Sequence, residues 1–338
     1  MNGSTLRWLA NCTKPFIYVC CGARGETTNA LVNTFPGSRY LGFEPDGAEC
    51  ARLRSQAKPS YDYFPVAAGE TDEVKNLFIT KNPECSSQLS PNHSFFNKFM
   101  DCGPQIEIKE VKQIQTVSLD TYLPTVGVDC VDFLQLDTQG TELEVLRGAK
   151  SFLCRSILGA QVEVEFSPIY KDQSLFSEID AYMRQAGFML FDVRRNYYRR
   201  KNYPLDLNTR GQLLWGDAFY LKDHGFLSRS KKSKEARIKL AVIATFFGFH
   251  DYALEIFDTL FQEATEAQDS EAISAFGRLR DEFISSLTNR QCWIRLTAWM
   301  LKLGLGLGRF FNFGGRMAKK LSDLHAAVTQ KRSQSWED

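Results

Sequence analysis

The chain has no apolar run of the roughly 20 residues that a membrane-spanning helix needs. It has no Cys-x-x-Cys pair, and its four histidines, His93, His224, His250 and His325, are scattered. That excludes a zinc framework, and no metal site is expected from the sequence. Neither sign of charge dominates, with 41 Lys and Arg against 40 Asp and Glu. Bulk electrostatic binding to nucleic acid is therefore not expected. The first residues, MNGSTLRWLANCTKPF, lack the apolar stretch of a secretory signal. Nine cysteines is an odd number, in a chain too long to need disulfide staples. Reduced thiols in a cytoplasmic protein are the expectation.

What is present reads as alternating strands and helices. FIYVCC (16–21) is a continuous apolar run closed by Gly22 and Gly25, as in a strand buried on both faces. A short helix capped by Thr27 or Thr28 is expected next. RYLGFE (39–44), YDYFPVAA (61–68), KNLFIT (75–80), VDFLQLD (131–137), GAQVEVEF (159–166), FMLFDV (188–193) and LLWGDAFYL (213–221) read as further strands. TELEVLRGAKSFL (141–153) and SLFSEIDAYMRQAG (174–187) read as helices. The pattern predicts an α/β fold with a doubly wound, mostly parallel sheet and ligands at the strand carboxyl ends. Residues 82–104, rich in Pro, Ser and Asn, read as a long loop, either functional or disordered.

The composition changes at KDHGFLSRSKKSKEA (222–236), and beyond it the periodicity is helical only. The expected domains are 1–222, a linker at 223–236, and an all-helical extension at 237–338. In the tail, Arg295, Lys302, Arg309 and Arg316 recur every seven residues, with Trp293, Leu296, Met300, Leu303 and Leu307 beside them. Three readings stay open. Residues 290–332 form a peripheral membrane contact, a helix packed on the extension with its basic face in water, or a surface for a protein partner.

Candidate chemistry clusters at the strand ends. CCGARGE (20–26) follows the first strand directly. No Gly-Lys-Ser/Thr follows it, and Arg24 occupies the second glycine's place of a GxGxxG turn, which disfavours a dinucleotide diphosphate. A nucleoside ligand without phosphates remains compatible. Glu44, ending the second strand, can accept hydrogen bonds from both ribose hydroxyls of an adenosine cofactor. Asp137, in LQLDTQG, ends a strand at the expected switch point; it reads as a substrate-orienting group, a base or a helix cap. Glu163 and Glu165 alternate along VEVEF, and acids in an apolar strand are costly unless paired or used. Glu165 is the better placed of the two. DVRRNYYRRKNYP (192–204) reads as a solvated hairpin, with an anion patch as the alternative.

LQLDTQGTELEVLRGA (134–149) followed by VEVEFSPIY (162–170) resembles the FkbM family of S-adenosylmethionine-dependent methyltransferases. TKNPECSSQLSPN (80–92), LGFEPD (41–46) and RGQLLWGDAFYL (210–221) are similar to its other pieces, and the resemblance covers about residues 16–222. It implies a Rossmann-like class I methyltransferase fold and S-adenosylmethionine as cofactor. Gly22, Ala23, Glu44 and Asp137 would line the cofactor site, with Cys20 and Arg24 in the same turn. The family usually has an acid where Cys20 stands, as a partner for the cofactor's ammonium. The resemblance further implies O-methylation of a hydroxyl on a sugar, polysaccharide or small metabolite, with Asp137 as first and Glu165 as second candidate base. The alternative is a decayed catalytic fold acting as a scaffold through its helical C-terminal region.

Overall fold

The apolar runs at the amino-terminal end become the centre of a sheet. The computed structural model describes residues 15–285, except 28, 36, 204–207, 228–232, 271, 279, 282 and 283. Its strands are β1 (Ile17–Cys21), β2 (Arg39–Phe43), β3 (Tyr61–Phe64), β4 (Ala67–Gly69), β5 (Glu73–Thr80), β6 (Ile108–Ser118), β7 (Phe133–Leu136), β8 (Gly159–Glu165), β9 (Phe188–Tyr198) and β10 (Gln212–Lys222). Seven of them form one sheet in the order β3-β2-β1-β7-β8-β10-β9. The first five of these pair in parallel. β10 runs antiparallel to both β8 and β9. Strand order departs from β1 in both directions, so a crevice opens above the carboxyl ends of β1 and β7. The expected doubly wound, mostly parallel sheet is present.

The expected strand at 61–68 is divided. Pro65 has no N–H to continue a ladder. β4 beyond it joins β6 and β5 in a separate three-stranded sheet, order β4-β6-β5. The expected helix at 141–153 is also divided. The helices outside 3-10 and single-turn segments are α1 (Gly47–Ser55), α2 (Leu119–Thr125), α3 (Glu142–Gly148), α4 (Lys150–Arg155), α5 (Phe176–Gln185), α6 (Ser233–Phe247) and α7 (His250–Glu266). α3 stops at Gly148, where a Cβ would lie 2.0 Å from the Gly69 carbonyl oxygen. Instead of a helix after Thr27, a 3-10 turn at Val32–Thr34 follows Asn29, whose side chain accepts from the Leu31 and Val32 amides.

One sheet face buries Val19, Cys21, Leu41, Leu134, Leu136, Val162 and Val164 against α3, α4 and α5. At about 25 cal/mol per Å² of apolar surface, each fully buried Val or Leu contributes about 1.5–3 kcal/mol. On the other face Phe247 of α6 stacks on Phe133 (centroids 5.5 Å apart) and packs against Phe219 (5.1 Å). Lys239 Nζ donates to Asp132 at 2.9 and 3.0 Å, both groups being buried. α6 and α7 are the first helices of the expected C-terminal helical extension, and they belong to the same compact unit as the sheet, Met1–Arg280. Residues 223–236 are not a continuous linker: a helical turn occupies His224–Leu227, and α6 starts at Ser233. Tyr252 of α7 ties this region down, donating to the Lys222 carbonyl at 2.7 Å and accepting from the His224 amide at 2.8 Å.

Helical backbone resumes at residue 270. The end of the helix expected at 273–287 and the whole basic stripe of 290–332 lie outside the described residues. Among the described residues no helix is long and apolar enough to cross a membrane.

Candidate active site

β1 ends at Cys21, and the chain must turn at once beneath the loop that follows β7. Gly22 makes that possible. Its φ is +84°, and a Cβ there would sit 1.8 Å from the Asp137 carbonyl oxygen. No other residue tolerates both the left-handed backbone and the contact. The Gly22 and Ala23 amides both donate to the Phe43 carbonyl, at 3.0 and 3.1 Å, which fastens the turn to the end of β2.

Arg24 spans from this turn to the next loop. Its Nη2 lies 2.9 Å from Asp46 Oδ2 and 3.5 Å from Glu44 Oε1. Asp46 caps α1 by accepting from the Ala48 amide at 3.2 Å. Its own amide donates to Glu44 Oε1 at 2.9 Å. Glu44 is thus oriented from both sides at the strand end, with 3% of its surface exposed. Burial pushes its carboxyl up to about 6, while the Asp46 amide and Arg24 hold it from rising further.

A cavity of about 390 Å³ lies above the strand ends. Gly22, Arg24, Glu44, Asp137 and Glu165 line it; Cys20 and Ala23 do not. Cys20 is fully buried and donates its thiol to Glu26 Oε2 at 3.4 Å. Burial, followed by the Glu26 charge, raises the thiol well above its ordinary range, so it stays neutral. Ala23 packs on Gly42, where a Cβ would meet its own at 2.9 Å. The Glu26 carboxylate sits beside the thiol, and neither residue lines the cavity.

Asp137 follows β7 directly, its amide donating to the Cys21 carbonyl at 3.0 Å. Its side chain is exposed and caps no helix. Buried Glu142 instead ties down the loop before the helix, accepting from the Thr138 amide (2.6 Å), the Thr138 hydroxyl (2.9 Å) and the Gly140 amide (2.9 Å). Gln139, at φ +58°, turns its amide group across the site. Its Nε2 donates to Asp137 Oδ1 at 2.7 Å and to Glu163 Oε2 at 2.6 Å. Its Oε1 accepts from the Tyr170 hydroxyl at 2.7 Å, and its carbonyl accepts from Ser87 Oγ at 2.7 Å. The arrangement is an exposed carboxylate held in one orientation by a half-buried amide, itself held by a buried phenol.

The sequence of the methyltransferase FkbM domain family matches residues 20–190. The chain belongs to the FkbM methyltransferase family. The cofactor that this family implies is S-adenosylmethionine. No curated protein matches the sequence. Among solved structures, an FkbM methyltransferase from Methylobacillus flagellatus KT is 15% identical, with a TM-score of 0.35, covering 64% of this chain and 47% of that one. The chain thus spans about half the length of that relative. Magnesium protoporphyrin IX methyltransferase from Synechocystis PCC 6803 is 9% identical, with a TM-score of 0.31, covering 65% and 77% of the two chains. Precorrin-6y C5,15-methyltransferase from Geobacter metallireducens GS-15 is 12% identical, with a TM-score of 0.30, covering 65% and 87%.

The residues of this FkbM methyltransferase fit its cofactor. The glycine turn leaves the end of β1 open to a ligand, Glu44 offers a carboxylate at the end of β2, and the cavity joins both to Asp137. Residues 82–88 form a second wall, and they are irregular without being loose. Ser87 pairs with Phe78, Asn82 accepts from the Glu84 amide, and Gln88 donates to the Ala68 carbonyl. Farther along, Phe96, Phe99, Cys102 and Ile106 pack on Ile169, Tyr170 and Leu214. The Arg-rich run after Asp192 continues β9, with Arg194 over the Phe219 ring and Arg200 over the Phe99 ring.

Sequence reasoning missed Gln139, Tyr170 and Ser87, whose partners lie 31 and 52 residues away along the chain. Glu165, the second base candidate, is fully buried, and burial together with Glu142 and Asp137 raises its carboxyl far above the usual range. Burial thus opposes ionisation of Glu165. Tyr170 acts through Gln139 as a positioning residue. Tyr170→Phe removes the donor to Gln139 Oε1 and is expected to lower turnover about tenfold, with cofactor affinity unchanged. Steady-state kinetics beside calorimetric S-adenosylhomocysteine binding checks the split.

Proposed function

We propose that this enzyme methylates a hydroxyl oxygen of a saccharide or small-molecule acceptor. One observation carries the reading: the exposed Asp137 carboxylate, fixed by Gln139, stands at the switch point between the Glu44 end of the cavity and an aromatic end lined by Phe96, Tyr170, Tyr198 and Trp215. S-adenosylmethionine supplies an electrophilic methyl group when bound. Glu44 would hold the ribose hydroxyls, its carboxylate oriented by the Asp46 amide and Arg24. Asp137 would accept the acceptor's hydroxyl proton as the oxygen–carbon bond forms and the carbon–sulfur bond breaks, the neutral thioether leaving, because a neutral hydroxyl is a poor nucleophile. The aromatic walls hold the acceptor and exclude water, so the acceptor oxygen stays in line.

The reading is tested with methyl-labelled S-adenosylmethionine and a panel of hydroxylated acceptors. A product label that resists mild base and acid marks a methyl ether and supports it. Label released as methanol marks an ester, label in a methylamine marks nitrogen transfer, and either outcome overturns it.

Glu44 also sets a pH dependence. Its folded carboxyl titrates at about 6 against an ordinary 4.5. A raised acid is penalised when it ionises in the fold, so its effect on stability runs opposite to that of a salt-bridged carboxylate. In ligand-free protein, stability is highest below pH 4.5 on this account and falls by about 2 kcal/mol as pH rises through 6. Cofactor affinity moves the other way, because the ribose needs the ionised acceptor. It should fall about tenfold between pH 7 and pH 5. Calorimetry of S-adenosylhomocysteine across that range checks the sign, and Glu44→Gln should flatten the curve.

A further inference from the structure

Three acids beside the catalytic carboxylate are not used by the reaction as described. Glu142 comes from the start of α3, and Glu163 and Glu165 come from one face of β8, two residues apart. One carboxylate oxygen from each lies within 4.8 Å of the other two. All three side chains are buried, at 1%, 6% and 1% exposure. Among the described residues no Lys or Arg forms an ion pair with any of them. The charged groups that bear on them are each other and Asp137. Glu142 and Glu163 have protein donors, but Glu165 Oε2 is buried with no hydrogen-bond partner. An orphaned buried carboxylate oxygen normally costs several kcal/mol unless something fills its place.

We propose that Glu142, Glu163 and Glu165 form a site for one hard divalent cation at the acceptor end of the cavity. An all-carboxylate set selects hard cations over zinc or copper. Three oxygens that lie within 4.8 Å of one another are close enough to share one cation. Glu163 and Glu165 also line the cavity, so the cation's remaining positions open onto it. Acceptor oxygens would occupy them, a step that rests on the hydroxyl-transfer reading; cation binding itself does not. On binding, protons held by these carboxyls leave to solvent, and the cation replaces them as the neutralising charge. The sequence hid this site because its ligands are carboxylates drawn from a helix start and a strand rather than a His or Cys framework.

The test uses the full chain, freed of metal, titrated with Mn²⁺ as a paramagnetic probe and followed by electron paramagnetic resonance. One saturable site per chain, emptied by Ca²⁺, is expected. Glu165→Gln should weaken it at least tenfold, and the Glu163→Gln/Glu165→Gln pair should abolish it. S-adenosylhomocysteine binding and circular dichroism on the same samples report whether each variant is folded, and Glu163→Gln alone replaces Glu165→Gln if that variant is not. Absence of saturable Mn²⁺ binding in the wild-type chain overturns the proposal, as does unchanged binding in folded variants. Bound Mn²⁺ with no methyl-ether product in any assay would leave the cation site standing and remove the hydroxyl reading.

Discussion

Asp137→Asn is expected to lower turnover by about 10²–10⁴-fold while S-adenosylmethionine binds nearly as before. The substitution keeps shape and hydrogen-bonding reach but removes the proton acceptor. It should leave the fold intact, because the Asp137 side chain is exposed and caps no helix. The backbone contacts that matter, from its amide to Cys21 and from its carbonyl to the Gly22 turn, are unaffected. Gln139 can still donate to the new amide oxygen. Single-turnover rates and calorimetric affinity separate the possible roles. Equal loss of both would make Asp137 a cofactor ligand and place the base elsewhere.

Glu44→Ala is expected to weaken S-adenosylmethionine binding by about 10–100-fold, the loss of one or two charged hydrogen bonds. The substitution also leaves Arg24 with Asp46 as its remaining carboxylate partner. Arg24 is a quarter exposed, so stability should change little. Turnover at saturating cofactor should stay close to wild type, the reverse of the Asp137→Asn pattern. Unchanged calorimetric affinity would remove Glu44 from the site.

These two residues were readable from sequence because each acts where its own strand ends. A strand followed by glycine, a carboxylate closing the next strand and another carboxylate at the switch point are local patterns, and the parallel sheet brings their ends together. Boundaries failed where tertiary contacts overrule local preference. Pro65 sends β4 to another sheet, and Gly148 ends α3 because it must pass against Gly69. The stretch after Asp192 is a hairpin as read, but its first arm is β9 itself, which runs on to Tyr198 and pairs antiparallel with β10, since an edge strand tolerates charge facing water. The linker looked solvated from its lysines, whereas Lys222 is buried, donating to the Leu153 and Ala186 carbonyls at the ends of two helices. The Tyr170–Gln139–Asp137 relay was invisible because no spacing rule joins a tyrosine after β8 to a glutamine after β7. Glu163 and Glu165 could be recognised as costly, but not as partners of Glu142.

The central claim is that one cavity joins Glu44 to Asp137 through the cofactor. A crystal structure with S-adenosylhomocysteine tests it directly. The account predicts the ribose hydroxyls on the Glu44 carboxylate and the sulfur facing Asp137, with Tyr170 and Trp215 beyond it on the acceptor side. S-adenosylhomocysteine bound elsewhere, or bound here with its ribose away from Glu44, would contradict it.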